Sequence, residues 1–357
     1  MRLSDSARSR PALIRARRVA AALLATIAAT IPLLASCAAS KPRELSRSDF
    51  VLGTVCSIRL VGTGSESLLD EAFERLRAIE DELSVNKSGS EIDAVNATAG
   101  TSPVRVGDDA ITIIERDLEY SKLSDGAFDP SVGPLVKLWG IGTDKARVPS
   151  RSEIEAARGL IGWKDIVLDR TAMTVFLRRK GMALDLGSTT KGYAADAVAA
   201  LLRARGVKKG IIDLGGNVMV IGNRPDDKPW RVGLQNPFEE RGSLLGVASL
   251  ADETMVTSGV YERFLDSDGK RYHHILDTKT GYPVDNGLQS VTIIAPRSFD
   301  ADGLTTTIFA LGRERGMELA RSRGVGAIIV TSARKVYLSP GLSGKFEITD
   351  KSFSYAE

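Results

Sequence analysis

Apolar residues recur in this chain at two spacings. Over residues 68–83 they fall at every third or fourth position (Leu68, Leu69, Ala72, Phe73, Leu76, Ile79, Leu83), which puts one apolar stripe on a helix. Similar patterns predict helices over 110–123, 191–205 and 301–311. Short apolar runs bounded by turn residues predict strands over 51–60, 166–168, 174–178, 182–186, 210–213, 218–221, 230–234, 245–250, 290–295 and about 327–331. Residues 261–276 read as a hairpin turned at Asp268-Gly269. Strands come in clusters with few crossover helices, so the fold class is α+β, with a mixed, largely antiparallel sheet and packed helices. The folded part is a single domain over 49–357, with no internal repeat or linker inside it.

The first 36 residues follow another pattern. An Arg-rich start precedes an apolar run over about 19–34, which Thr26, Thr30 and Pro32 interrupt. The run is shorter than the ~20 residues of a comfortable bilayer span, and the arrangement is that of an export signal. It ends in Leu34-Ala35-Ser36-Cys37, which resembles a bacterial lipobox. The resemblance implies a signal peptide over 1–36, a lipidated Cys37 at the mature N-terminus, and a small, polar tether over 37–48. The protein would then be exported and lipid-anchored on the periplasmic or other extracytoplasmic face of a membrane. The alternative is a plain signal anchor with an incidental cysteine.

Charge and cysteine content sharpen this picture. The chain carries a formal charge of +3, yet Arg2, Arg8, Arg10, Arg15, Arg17 and Arg18 against Asp5 place more than that in the signal segment. The rest is slightly acidic, which removes the electrostatic case for nucleic acid. With 43% hydrophobic and 26% charged residues the composition is that of an ordinary globular protein. Cys56 is the second of two cysteines, so a lipidated Cys37 leaves no internal disulfide. Cys56 lies in an apolar strand-like run and reads as a small core residue rather than a nucleophile.

Three segments carry candidate chemistry. In Leu184-Asp185-Leu186-Gly187-Ser188-Thr189-Thr190-Lys191-Gly192-Tyr193 a strand end, a small-residue loop, a lysine and a helix start follow in order. Free amides at a helix start and a lysine beside them favour a phosphate, although the glycine-lysine order of a Walker A loop is absent. The plain alternative is a capped helix with Lys191 in solvent. In Asp300-Ala301-Asp302-Gly303-Leu304-Thr305-Thr306, Asp302 and Thr306 stand one helical turn apart and offer oxygens to a hard cation; alternatively Asp300 simply caps the helix. The two histidines are adjacent, His273-His274, so no zinc-type cluster exists, and on a strand at most one of them faces a site. The Asp277 to Gly281 stretch is a turn.

Together these segments resemble the ApbE family, the FAD:protein FMN transferases, and in particular the flavin-trafficking lipoproteins of spirochaetes. The marks are Leu52-Gly53-Thr54; Ser124-Asp125-Gly126-Ala127-Phe128-Asp129-Pro130 with Pro134-Leu135; the Asp185 to Tyr193 segment; Asp213-Leu214-Gly215-Gly216-Asn217; Thr257-Ser258-Gly259; His274-Ile275-Leu276-Asp277 with Thr280-Gly281-Tyr282-Pro283; and Ala301-Asp302 with Thr306.

The resemblance implies FAD as substrate and Mg2+ as cofactor. FAD contacts would fall on Leu52, Asn86, Ala127, Phe128, Asp129, Asp185, Lys191, His274 and Ile275. Metal oxygens would come from Ser188, through its main-chain carbonyl, and from Asp302, Thr305 and Thr306. Asp302, His274 and Lys191 are the implied catalytic residues, with His274, or equally an aspartate, taking the proton of the attacking hydroxyl. The acceptors would be membrane redox subunits of the Nqr (sodium-pumping NADH:quinone reductase) and Rnf types, carrying Asp-x-x-Ser/Gly/Ala-Gly-Ala-Thr/Ser. FMN would be transferred to their Thr or Ser with release of AMP. Two departures stand out: Leu52 replaces a frequent methionine, and Leu83-Ser84-Val85-Asn86 lacks the ring the family commonly stacks on FAD, worth ~0.5 to 1.5 kcal/mol. That loss favours turnover over storage. The alternatives are an FAD pyrophosphatase giving FMN and AMP, a flavin-binding lipoprotein without catalysis, and a binding lipoprotein for another solute.

Overall fold

The computed structural model describes residues 43–62 and 65–356. The expected signal peptide, Cys37 and the start of the expected tether lie outside the described residues. Numbered in chain order, the main sheet runs β1 (Glu44–Val51), β2 (Thr54–Val61), β6 (Gly210–Leu214), β7 (Val218–Ile221), β10 (Thr254–Gly259), β13 (Leu288–Ala295), β14 (Gly326–Thr331), β15 (Lys335–Leu338), β17 (Ser354–Ala356). Its pairings are antiparallel except β15 with β17. Two three-stranded sheets flank it: β3 (Val104–Arg105), β5 (Thr174–Leu177), β4 (Ile166–Asp169), and β16 (Phe346–Ile348), β9 (Leu244–Leu250), β8 (Trp230–Gln235). A hairpin, β11 (Phe264–Ser267) and β12 (Lys270–His273), turns at Asp268-Gly269 as expected. The helices are α1 (Glu66–Leu83), α2 (Glu91–Ala97), α3 (Asp108–Ser124), α4 (Gly133–Trp139), α5 (Arg151–Arg158), α6 (Thr190–Ala204), α7 (Ser298–Leu311) and α8 (Arg313–Arg323). This is the α+β architecture anticipated from the strand clusters.

The main sheet is covered on both faces at its centre. Successive strand side chains point to opposite faces, and Ile293 and Ile329 join the helix-side core with Leu304 and Ile308 of α7. Their neighbours Ile294 and Ile328 join Trp230, Leu234 and Leu250 of the β8–β9–β16 sheet. Burial on both faces accounts for the uncharged sequence of β13, in which Ser290 and Thr292 are as buried as the apolar residues.

Two strand expectations are corrected. The run at 51–60 is not one strand: Leu52 and Gly53 take φ of 56° and 69°, turning β1 into β2. Two left-handed residues are what a tight hairpin requires, and leucine is seldom one of them, so nothing in the sequence signalled the turn. As a consequence β1 begins at Glu44 and takes in residues read as tether. Residues 182–186 form no sheet strand. Met182, Leu184 and Leu186 are buried; one edge makes a single parallel bridge, Ala183 with Val132, and the other meets a side chain: Asn96 Oδ1 accepts from Leu184 N at 2.6 Å, and Asn96 Nδ2 donates to Leu184 O at 3.0 Å.

The contact that positions the site is the crossing of α6 on α7. A Cβ on Gly192 would clash with Ser298 O and lie 2.6 Å from Asp302 Cβ, so only glycine lets the two helices approach this closely. Gly303 does the same on the next turn of α7, where the Tyr120 ring of α3 lies over it. The α7 start is held from α6: Asp196 Oδ1 accepts from Ser298 N at 2.8 Å, and Oδ2 from Phe299 N at 3.0 Å. Asp300 is thus not the cap; it pairs with Arg116 at 3.2 Å.

Gly192→Ala is expected to destabilise the protein by ~1–3 kcal/mol in urea titration, the cost of overpacking a close helix crossing. Helix propensity alone would give the opposite sign, about 1 kcal/mol of stabilisation, so the sign of the change decides whether the crossing governs this position.

Candidate functional site

The loop before α6 and the first two turns of α7 meet at the crossing. Gly192 N donates to Asp302 Oδ2 at 2.7 Å. Asp302 is 6% exposed; burial pushes its pKa up to about 6, against the pull of Lys191, the Gly192 amide and Asn217. Lys191 therefore stands beside Asp302 at the opening of α6, and its charge also reaches His274. Three residues far apart in sequence, Lys191, His274 and Asp302, share one neighbourhood.

Asn217 is held by Ser298, whose Oγ donates to Asn217 Oδ1 at 2.6 Å. Its Nδ2 is buried without a hydrogen-bond partner, although the amide lies close enough to Asp302 to favour the ionised carboxylate. On the other side, Asp185 Oδ1 accepts from Gly187 N at 2.9 Å, shaping the Gly187-Ser188 turn. Thr189, fully buried, donates from Oγ1 to Asp117 Oδ2 at 3.2 Å. Asp117 Oδ1 has no partner; burial holds its pKa well above the usual carboxylate range, and Asp302 and Asp185 raise it further while the Thr189 bond opposes them.

Thr305 and Thr306 differ in their availability. Thr305 is fully buried; its Oγ1 donates to Asp302 O at 2.7 Å and accepts from Ser258 Oγ at 2.9 Å. Thr306 is half-buried and has a long 3.4 Å contact to the same Ser258 oxygen. The Thr306 hydroxyl, one turn from Asp302, is the freer of the two. Among the described residues no three His, Cys, Asp or Glu side chains converge on one point. A cation here would be held by one carboxylate with hydroxyl and carbonyl oxygens, which fits Mg2+ also bound by a substrate phosphate. The buried Asp302 carboxylate is the group such an ion would hold ionised.

The two histidines take opposite tautomers. A carbonyl only accepts, so Nε2 of buried His273, 2.9 Å from Val284 O, carries the proton, and its Nδ1 accepts from Ile275 N at 3.3 Å. His273 is a structural residue against Phe309. In His274 it is Nδ1 that donates, to Arg263 O at 3.1 Å, which leaves Nε2 as the basic nitrogen. The ring keeps partial solvent contact, yet the protein around it desolvates the cation. That desolvation, with the Arg263 guanidinium, pushes the pKa down to about 3, so His274 is neutral at physiological pH.

The Gly126–Pro130 turn joins these pieces. Thr278 Oγ1 donates to Gly126 O at 2.7 Å, and Asp185 N to Pro130 O at 2.8 Å. Phe128 is buried against Tyr120, and Ile275 lies in the same core cluster, so both side chains are packing residues. The Asp129 carboxylate accepts from Ser131 N, Ser131 Oγ and Trp163 N, and burial raises its pKa. The Phe128 and Asp129 side chains are thus spent on packing and on the turn itself, so that a ligand at this turn would meet chiefly main chain. Leu52 packs half-buried on the α1 core, and Asn86 is exposed after α1, its amide on Ser84 Oγ at 3.2 Å. No hydrogen bond among the described residues ties Leu52 or Asn86 to the Lys191–Asp302 centre. Cys56 is buried with its thiol on Val51 O, its pKa pushed up to about 12, a core residue as expected.

Asp117, Asn217, Ser258 and Arg263 were not singled out as site residues from the sequence. Asp117 carried one legible signal, an aspartate on the apolar stripe of a predicted helix.

Fold and site together define an α+β protein whose centre sets Lys191 near the buried Asp302 carboxylate; of the amides expected free at the α6 start, Thr189 N and Thr190 N are taken by Leu186 O and Gly192 N by Asp302 Oδ2. The sequence profile of the ApbE family matches residues 52–329. An FAD:protein FMN transferase of Klebsiella pneumoniae is 39% identical over 315 residues, covering 88% of this chain and 98% of its own. One of Treponema pallidum is 37% identical over 332 residues, covering 88% and 92%. The solved flavin transferase ApbE of Vibrio cholerae superposes with a TM-score of 0.77 at 28% identity, covering 85% of this chain and 99% of that one. The chain belongs to the ApbE family.

The raised Asp302 pKa has a sign that can be checked. Asp302 contributes stability below its unfolded value near 3.8, and that contribution is lost as pH rises through about 6. Relative to Asp302→Asn, the wild-type unfolding free energy should fall by on the order of 2–3 kcal/mol between pH 4 and pH 7. Urea titrations of both proteins across that range measure it. His274 acts oppositely, losing stability as pH falls from 6.5 towards 3, and cancels in the comparison.

Proposed function

We infer that the chain is an Mg2+-dependent FAD:protein FMN transferase, acting on Thr or Ser of a membrane redox subunit of the Nqr or Rnf type and releasing AMP. The observation that carries the reading is the convergence of Lys191, the α6 start and buried Asp302 beside neutral His274. The transferase name of the Klebsiella and Treponema relatives supports the reaction class. Asp302, Thr306 and the Ser188 carbonyl would hold the cation, with Thr305 supporting Asp302 from behind. Bound there, Mg2+ would supply charge neutralisation to the pyrophosphate. Lys191 shares that charge, and Leu52, Asn86, Asp185, Ile275 and the Ala127–Asp129 turn border the FAD.

The His274 tautomer fits a general base. The acceptor hydroxyl gives its proton to Nε2 as its oxygen bonds the phosphorus on the FMN side; the bond from that phosphorus to the bridging oxygen breaks, and AMP leaves with that oxygen. The Nδ1 bond to Arg263 O orients the ring throughout. A second reading, FAD hydrolysis to FMN and AMP, is favoured by exposed Asn86 in place of a stacking ring, since looser flavin retention speeds turnover and water replaces the acceptor hydroxyl. For location, we propose lipidation at Cys37 and residence on the extracytoplasmic face of a membrane, on the strength of the Leu34 to Cys37 segment and the export signal before it.

The test is AMP release from FAD by the full-length chain in detergent, in Mg2+ and in EDTA, with and without a peptide carrying the acceptor motif. AMP in Mg2+ alone with flavin bound covalently to the peptide is the expected result. Free FMN alone moves the assignment to hydrolysis, and no AMP under any condition overturns both. Asp302→Asn and Lys191→Ala are each expected to lower the rate by at least about 100-fold.

A further inference from the structure

The geometry points to Asp117 as a positioning residue that holds the Ser188–Thr189 loop in place for the cation, an inference that rests on the cation site proposed above. Asp117 sits on α3, 1% exposed, and reaches across to α6 through its bond to Thr189 Oγ1 at 3.2 Å. The same hydroxyl lies 3.4 Å from Leu186 O within its own loop, a longer contact than the one to Asp117. Thr189 N and Thr190 N both donate to Leu186 O, at 3.1 and 3.0 Å, and Thr190 Oγ1 adds a third bond to that carbonyl at 2.8 Å. These bonds fix the turn internally, and the Gly192 N to Asp302 Oδ2 bond at 2.7 Å holds the α6 side of it against α7, but none of them ties Thr189 and the Ser188 before it to α3. Asp117 supplies that tie from a separate helix, and α3 is itself locked to α7 by the Tyr120 ring over Gly303.

The cost of this arrangement argues for a role. A buried carboxylate with one oxygen unpartnered, and with Asp302 and Asp185 as its charged neighbours, destabilises the fold. An apolar residue would pack on the stripe of α3 without that penalty. What the carboxylate does there that an apolar side chain cannot is accept the Thr189 hydroxyl. Ser188 precedes Thr189 directly, so a loop freed from Asp117 would let the Ser188 carbonyl drift relative to Asp302. Misplacement on the ångström scale is costly at a reacting centre.

The experiment uses the full-length chain in detergent and four variants: Asp117→Ala, Asp117→Asn, Thr189→Val and Thr189→Ser. Two quantities are read, the Mg2+ concentration giving half-maximal AMP release and the rise in thermal midpoint with Mg2+ alone, which needs no catalysis. Asp117→Ala and Thr189→Val should each raise the Mg2+ requirement about tenfold and shift the thermal titration equally, with kcat at saturating Mg2+ little changed. Asp117→Asn and Thr189→Ser retain the hydrogen bond and should stay within about twofold of wild type. An unchanged Mg2+ requirement in Thr189→Val overturns the inference, as does Asp117→Asn behaving like Asp117→Ala, which would make charge and not the hydrogen bond the cause. If Asp117→Ala does not fold, the Thr189 pair decides alone. A wild-type protein indifferent to Mg2+ would instead overturn the cation site itself.

Discussion

The structure depends on the close approach of α6 to α7 at Gly192. A methyl group there would meet Ser298 O and Asp302 Cβ and strain the bond from the Gly192 amide to Asp302, the carboxylate whose ionised form Lys191 favours. Much else in the fold serves this contact. Asp196 caps α7 from the other helix, Asn217 and Ser298 fill the space beneath, and the Tyr120 ring over Gly303 presses α3 against the far side. The central sheet is the platform: β13 is buried on both faces and cannot shift to accommodate a looser crossing.

Electrostatics at this centre is a balance held short of neutrality. Asp302, Asp185 and Asp117 lie near one lysine and a helix start, and for Asp302 and Asp117 burial outweighs the stabilising partners. A fold selected for stability alone would remove such groups. Both groups fit the proposed cation, and in the neutral His274 beside them Nε2 is left without a proton.

The chain thus separates two tasks. One set is proposed to face the reaction: Lys191, Asp302, Thr306 and His274. A second set never needs to touch substrate: Asp129 clamps the turn at Ser131 and Trp163, Thr278 ties that turn to the histidine segment, and Trp139 Nε1 holds Gly281 O at 2.8 Å. In this second set motif residues such as Phe128 and Ile275 are core residues whose side chains set the position of neighbouring main chain.

Family and fold class were legible in the sequence, because each rests on local order: ordered motifs, helical stripes and strand clusters; the sequence also set a lysine at a helix start and a carboxylate and a hydroxyl four residues apart, and the fold places Lys191 near Asp302. What the sequence did not contain was decided by contacts between distant segments. The Leu52-Gly53 turn needs a left-handed leucine that no propensity favours, and Leu184 finds its strand partner in the side chain of Asn96. The choice between Thr305 and Thr306 follows from Ser258 on another strand, and the His274 tautomer from a carbonyl on β11's approach. Asp117 looked like a blemish on an amphipathic helix, and only Thr189, 72 residues away, gives it a partner. Hydrophobic period and helix-end chemistry are written into neighbouring residues; the pairing of a buried polar group is settled by whatever packing brings within 3 Å or so of it.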